Sequence, residues 1–558
     1  MLVHNAALAL LLAAVLGAAW AYRDWSDLAA LRLPDTDDAV RLLQVRDWIG
    51  GQSFRDVTQA RLGMPPGLAM HWTRVADLGP AALITVFAPV LGAQHAAVAA
   101  VTVWPIFLFA LALTLIGSIA RAIPSAPATA MIIAALAYPA TTLFLPGRID
   151  HHGLQIVLLL LLVRGALGGG FGFGALGGVA TALSFAVGME TVPLLAVGGL
   201  TFTLQWALRL PNGQARLLGY AMALTTGLDA AALIFRTSTW TYPACDGFTE
   251  TSWRAAQAMA LVPLGLAAAG PLLRTPLART AAMLVAAGVA IVIFATLGRS
   301  CADPYGAVDP ALLGLWLAHV GEAQSWFAAP AAAAIGYTGL MVVGLVATGW
   351  MAVRTRTAAW LVLLAFQLAA LAITVAQLRG AYAGAMLAAP ALGGMVSAAR
   401  ARGIVALGAS WFAASGFVYP LAGAAIAPGT GSATLDCAEP EGLARLAALP
   451  AGTVMASIDI GAFAVTATPH RLIAAPYHRN GAGNLAMYRF FLSAPVIAEF
   501  AARGQHIDYV AFCPSDFTEL GRAVGTATLA GRLRAGHPPE WLVPVGGPGP
   551  LRLYRVID

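Results

Sequence analysis

The chain has 558 residues, of which 59% are hydrophobic and only 10% charged, and its mean hydropathy is +0.76. That composition excludes an ordinary soluble domain. The formal charge of +6 is carried by arginines scattered between apolar runs, with no lysine anywhere, so it describes membrane topology and not a surface for nucleic acid.

Apolar runs of roughly 20 residues, the length a helix needs to cross a hydrocarbon core, recur as far as about residue 424. They predict about thirteen transmembrane helices, at 3–21, 96–117, 125–145, 152–165, 171–188, 192–208, 217–235, 255–273, 280–297, 332–352, 358–377, 381–398 and 404–424. The first run, Leu2 to Trp20, lacks the basic start of a cleaved secretory signal and is read as a span. Ala81 to Leu91 is too short to cross and is expected to lie along the outer surface as an amphipathic helix.

A cytoplasmic N-terminus leaves Arg121, Arg164, Arg209, Arg216, Arg274, Arg279, Arg354, Arg356, Arg400 and Arg402 in the short inner loops, which hold no acidic residue. The same assignment sends the polar loops 22–95, 146–151, 236–254 and 298–331 outward, together with the tail. Residues 1–427 are thus read as a transmembrane domain with catalytic outer loops. Residues 428–558 are read as a periplasmic α/β domain, with strands at Thr453 to Ile458, Ala464 to Thr468, Asp508 to Phe512 and Leu551 to Val556 around a helical stretch near Asn484 to Ala502. All four cysteines then face an oxidising compartment. Cys245 with Cys301 and Cys437 with Cys513 is the favoured pairing, and four free thiols are the alternative.

Polar residues with chemical potential crowd the outer loops. Asp35, Asp37 and Asp38 follow the first span, and oxygen ligands in that pattern suit Mg²⁺ or Mn²⁺ beside a lipid phosphate; helix capping is the competing explanation. Asp150, His151 and His152 stand at the mouth of the fourth span, where such groups usually serve a function, although a histidine pair can also be an interfacial anchor. Glu322 lies in a polar, aromatic loop, and Arg379 sits at an outer helix end where positive charge is normally avoided, able to grip phosphate at two points or to snorkel to head groups. In the tail, Asp459 sits in Ser457 to Gly461, and His470, Tyr477, His478 and Arg479 make a polar, aromatic surface suited to sugar or peptide. The glycine-rich stretch Gly168 to Gly174 is a turn between two spans with no strand before it, so it is not a nucleotide fingerprint.

Taken in order, these pieces resemble the catalytic subunit of oligosaccharyltransferases, including the bacterial and archaeal single-subunit enzymes, within the GT-C class that also holds protein mannosyltransferases and aminoarabinose transferases. The resemblance implies thirteen helices, a cytoplasmic N-terminus and a periplasmic C-terminal domain. Asp37 is similar to the acidic residue of the first-loop motif that binds metal and contacts acceptor, and Asp37 to Arg46 also resembles the start of aminoarabinose transferases. Asp150 and His152 fall at the second-loop metal motif, with His in place of the second acid. His319 to Gln324 is similar to the loop motif that places Glu322 near acceptor and metal, and Arg379 resembles the arginine that binds donor pyrophosphate. Ser457 to Gly461 replaces the tryptophan-rich tail motif, keeping Asp459 and Gly461 but losing both Trp and the Tyr, so transfer to an N-glycosylation sequon is in doubt.

The resemblance therefore implies a metal-dependent glycosyltransferase of the bacterial inner membrane, moving a sugar or glycan from a polyprenyl-(pyro)phosphate donor to a protein, lipid or glycan acceptor. Asp37, Asp150 and His152 would hold Mn²⁺ or Mg²⁺, with Asp37 and Glu322 as catalytic groups. Arg379, Asp38, Arg41, His71, Asp459, His470 and His478 are the expected substrate contacts. Membrane lipids are expected partners and nucleic acid is not. The rival reading is a transporter or flippase of lipid-linked glycans, which would need polar or broken helices at the midplane; Asp229 is a lone acid inside a span.

Overall fold

The computed structural model describes residues 2–302, 306, 308–427 and 437–557. These divide into two compact units, one built from 1–25, 72–304 and 321–429, the other from 26–71, 305–320 and 430–558. The loops 26–71 and 305–320, read above with the membrane part, thus cluster with the tail. The start of the expected tail domain, 428–436, and part of the loop 298–331 lie outside the described residues.

The first unit is helical. Among the described residues, seven of its helices are long and apolar enough to cross a membrane, and the pair Ile404–Ala413 and Val418–Ile426, bent by 73°, makes an eighth if it is one span. The chain is a multi-pass membrane protein. Each of the thirteen expected spans overlaps a helix, but several are shorter than the apolar runs suggest. His151–Leu167, Phe171–Val187 and Val192–Ala207 have 16 or 17 residues, and the run 125–145 is broken into the eight-residue helix Pro127–Ala134 and a 3₁₀ turn Ala140–Phe144 after Pro139. The expected short helix at 81–91 is present: within Leu78–Ala122 the backbone breaks at Gly92, φ 76° and ψ 161°, so a helix that ends at Leu91 is kinked away from the span that follows, at a φ that glycine adopts without cost.

Within lipid the hydrophobic effect does not draw helices together, so close packing of small residues must. Phe171–Val187 lies along Gly213–Ile234. A Cβ on Gly174 would strike the carbonyl of Arg216, and one on Gly178 the carbonyl of Tyr220. The glycines four apart therefore let two backbones touch. Gly344 and Gly384 make room between Ala331–Thr355 and Gly380–Arg400, where a Cβ would meet Ala388 and the Met341 side chain. Gly380–Arg400 is the central span: 83% of its most apolar window is buried, against none for the peripheral Pro276–Leu297. A disulfide joins Cys245 to Cys301, with Cα atoms 4.8 Å apart.

The second unit carries a five-stranded sheet. Numbering strands along the chain, a two-residue ribbon pairs β1 (Thr58–Gln59) with β2 (Leu68–Ala69), and the sheet runs in the order β4-β3-β5-β7-β6. Its strands are β3 (Thr453–Met455), β4 (Arg471–Leu472), β5 (Tyr509–Phe512), β6 (Leu542–Val545) and β7 (Arg552–Val556). β3 is parallel to β4 and β5, and β7 is antiparallel to β5 and β6. Three of the four expected strands are present. The fourth, Ala464 to Thr468, belongs instead to the helix Ile458–Ala467, which opens after Ser457 and packs on the first-loop helix Thr36–Ile49. The expected helical stretch is two helices, Gly481–Leu492 and Pro495–Gly504, with proline at the start of the second. Phe490, Phe491 and Phe512 fill the core, each worth about 1.5–3 kcal/mol when fully buried. The bond Cys437–Cys513 is the second disulfide, so both favoured pairings are present and the free-thiol alternative is overturned.

Candidate functional site

In the membrane unit, the turn after Pro146 delivers Asp150 to the N-cap of His151–Leu167, where its side chain accepts the His151 backbone N–H. An acceptor at this position satisfies a helix donor that would otherwise be orphaned. The helix then presents two successive imidazoles. Asp150, His151 and His152 offer ligand atoms that all lie within 4.8 Å of one another, a geometry that could hold a metal ion. Nε2 of His152 is 3.4 Å from Asp150 Oδ2, and its Nδ1 is 3.3 Å from Gln155 Oε1. His151 faces Asp150 with Nδ1 and Glu190 with Nε2, the latter at 3.3 Å.

Glu190 was not among the expected site residues. It occupies the turn Gly188 to Thr191 between two apolar helices, accepts a hydrogen bond of 2.8 Å from Gln155 Nε2, and braces both the histidine and the glutamine from behind. Burial pushes its carboxyl up, but His151, His152 and Gln155 outweigh that and hold it well below the usual carboxylate range. Trp72 packs beside His151 at 6.3 Å between ring centroids. The next residues anchor it: Thr73 donates to the Ala186 carbonyl at 2.7 Å, and Arg74 pairs with Asp77 at 3.2 Å, both wholly buried.

The same unit brings Glu322 and Arg379 together, Oε1 to Nη2 at 3.5 Å. Backbone bonds fix the pairing: Arg379 N–H donates to the Glu322 carbonyl at 3.1 Å, and Leu378 N–H to that of Gln324 at 2.9 Å. Tyr382 stands one turn beyond Arg379 on the same helix start. Its ring is 6.5 Å from that of His152, and its hydroxyl feels the charges of Glu322 and Arg148. Asp150, His152, Glu322 and Arg379, four residues singled out from sequence, therefore belong to one unit and are linked through Tyr382.

The other expected residues lie in the tail unit. Asp37, Asp38 and Arg41 stand at the start of Thr36–Ile49, capped by Asp35, and Asp38 and Arg41 are buried. His71 and His478, far apart in sequence, stack with centroids 4.6 Å apart, and Arg479 beside them donates to the Met70 carbonyl at 3.2 Å. Asp459 stands in the first turn of Ile458–Ala467, on a helix and not at a strand end; burial, then Asp35 and Glu519, push its carboxyl up. His470 has no exposed surface. Its Nε2 bonds the Leu446 carbonyl at 2.8 Å and its Nδ1 accepts from Gly452 N–H at 3.1 Å, which leaves no ring nitrogen for a ligand.

A mixed carboxylate and imidazole set fits a divalent cation that accepts both oxygen and nitrogen. No family model matches this chain, and no curated protein does. Solved structures do. The archaeal oligosaccharyltransferase AglB from Archaeoglobus fulgidus, in complex with an inhibitory peptide and a dolichol-phosphate, superposes with a TM-score of 0.66 at 14% identity, over 90% of this chain and 68% of that one. The apo form of the Archaeoglobus fulgidus oligosaccharyltransferase gives 0.64 at 15%, over 89% and 68%. The chain has the GT-C fold. A third structure of the Archaeoglobus fulgidus oligosaccharyltransferase, complexed with Zn and sulfate, gives 0.60 at 15% identity over 86% of this chain and 64% of that one.

Proposed function

We propose that this protein is a metal-dependent glycosyltransferase that moves a sugar or glycan from a polyprenyl-(pyro)phosphate donor to an acceptor at the periplasmic face of a bacterial inner membrane. The observation that carries this reading is the joining of Asp150, His151 and His152, through Tyr382, to the Glu322–Arg379 pair. A carboxylate and imidazole cluster next to a guanidinium suits a diphosphate or phosphate leaving group. The fold supports it, since the neighbouring archaeal oligosaccharyltransferase binds a dolichol-phosphate. The orientation rests on the arginines of the inner loops and on the disulfides.

Asp150 and His152 would hold Mn²⁺ or Mg²⁺, with His151 braced by Glu190. The ion, when bound, supplies positive charge to the departing phosphate. Arg379 supports that phosphate with two parallel N–H donors. Glu322 accepts the acceptor's proton or orients its nucleophile, and Asp37 has the part in acceptor binding that the sequence resemblance gives it. The altered Ser457 to Gly461 motif favours an acceptor other than a sequon asparagine.

The test is transfer or hydrolysis of radiolabelled undecaprenyl-linked sugars by the purified protein, with and without Mn²⁺ or Mg²⁺, comparing wild type with Asp150→Ala, Asp37→Ala and Glu322→Gln. Metal-dependent turnover lost in the variants supports the reading. Folded wild-type protein with neither binding nor turnover sinks it in favour of transport.

A further inference from the structure

Three tyrosines from three separate segments converge beside the site. Tyr138 follows the helix Pro127–Ala134, Tyr337 belongs to Ala331–Thr355, and Tyr382 to the central span Gly380–Arg400. The rings of Tyr138 and Tyr337 meet edge to face, with centroids 5.7 Å apart at 82°, and those of Tyr337 and Tyr382 lie 5.9 Å apart at 54°. The Tyr337 hydroxyl interacts with the hydroxyls of both neighbours. Each ring remains partly exposed. We propose that Tyr138, Tyr337 and Tyr382 form the wall against which the sugar ring of the donor is held, an assignment that rests on the glycosyl-transfer reading.

Interfacial tyrosines of an aromatic belt face lipid singly. These face one another, one on the most buried span of the unit, and the row continues to His152 at 6.5 Å. Tyr337 lies six residues into its helix, about 9 Å along the axis, whereas Tyr382 stands in the first turn of its own. A pyranose has apolar C–H faces and a hydroxyl rim, which ring faces and phenol hydroxyls match together. A prenyl chain has no hydrogen-bonding group to offer the three phenol hydroxyls, and apolar cover over an unmatched hydroxyl is costly. The donor sugar is bonded directly to phosphate. With phosphate at Arg379 and the histidines, its ring falls on the adjoining surface.

The experiment uses the full chain in lipid nanodiscs and measures affinity for bare undecaprenyl phosphate and for undecaprenyl-phosphoryl glucose, mannose and galactose. Tyr337→Leu and Tyr138→Leu are expected to lose about tenfold affinity for the preferred sugar lipid. Tyr337→Phe, which keeps the packing and removes one hydroxyl, is expected to lose about threefold. Affinity for bare undecaprenyl phosphate stays within about twofold in all three, which also shows that the variants are folded. Equal loss on bare and sugar-bearing lipid, or no selective loss in Tyr337→Phe, overturns the wall while leaving glycosyl transfer standing. Wild type that binds no undecaprenyl lipid at all overturns both.

Discussion

Glu190 Oε1 stands 3.3 Å from His151 Nε2, on the far side of the imidazole from Asp150. A carboxylate in that position fixes the orientation of the histidine and raises its basicity, as such partners do in metal sites. Glu190→Gln keeps the shape but removes the charge. It is expected to weaken Mn²⁺ binding about 10- to 100-fold, read by calorimetric titration of the purified protein. An unchanged affinity would remove Glu190 from the site.

The Glu322–Arg379 pair gives a second expectation. Lysine carries the same charge as arginine but lacks its planar fork. Arg379→Lys should therefore lower kcat/KM for a polyprenyl-phosphate donor by at least about tenfold, the cost of one charge-assisted hydrogen bond. Activity equal to wild type would mean that this guanidinium does not grip phosphate.

In the tail unit, burial pushes the Asp516 carboxyl up to about 7, with Asp459 and Glu519 adding to the effect, against the Cys513 N–H and Ser457 that favour its charged form. Between the ordinary 3.8 and about 7, the native chain holds a proton that the unfolded chain has released. Stability of this unit thus falls as pH rises from about 4 to about 7, by at most about 1.4 kcal/mol per pH unit, and is level above that. Asp516→Asn should flatten the dependence in this window, as measured by hydrogen exchange of the β5 peptide across pH in the full-length protein. A slope that persists in the variant would assign it to another group.

Gly178→Ala places a methyl group against the Tyr220 carbonyl, and Gly174→Ala one against that of Arg216. Backbone cannot yield as a side chain does, so each should cost about 1–3 kcal/mol and lower the apparent melting temperature in detergent. Gly265→Ala, at a helix position with open space, is the matched control and should be neutral or slightly stabilising.

Much of this site was legible because its residues interrupt apolar sequence. Asp150, His152, Glu322 and Arg379 each stand where a span should meet lipid head groups, and charge at that place has few structural explanations. Glu190 stands in an equally short turn, but a single acid between two apolar runs forms no motif. Its role depends on a helix 35 residues earlier in the chain, which spacing cannot reveal. Ala464 to Thr468 looked like a strand because small and β-branched residues alternate there, yet the segment continues a helix begun at Ile458. His470 looked like a surface ligand because it follows Thr468-Pro469 in an apparent loop, whereas burial against the Leu446 carbonyl sets its place. At 125–145 the apolar run is longer than any helix in it, because hydropathy runs on through the break between Pro127–Ala134 and the 3₁₀ turn Ala140–Phe144.

The bond between Cys245 and Cys301 says something about crossings that hydropathy alone does not. Both sulfurs must lie on one side of the bilayer, so the chain between them traverses it an even number of times. Only two long helices intervene, Glu250–Ala269 and Pro276–Leu297. The second qualifies as a span by length and apolarity; the first, with Glu250, Arg254 and Gln257 in its opening turns, does not. If Pro276–Leu297 crosses, parity requires Glu250–Ala269 to cross with it. A single sulfur–sulfur bond thereby ties the fate of an ambiguous helix to that of its neighbour, as the two legs of one hairpin.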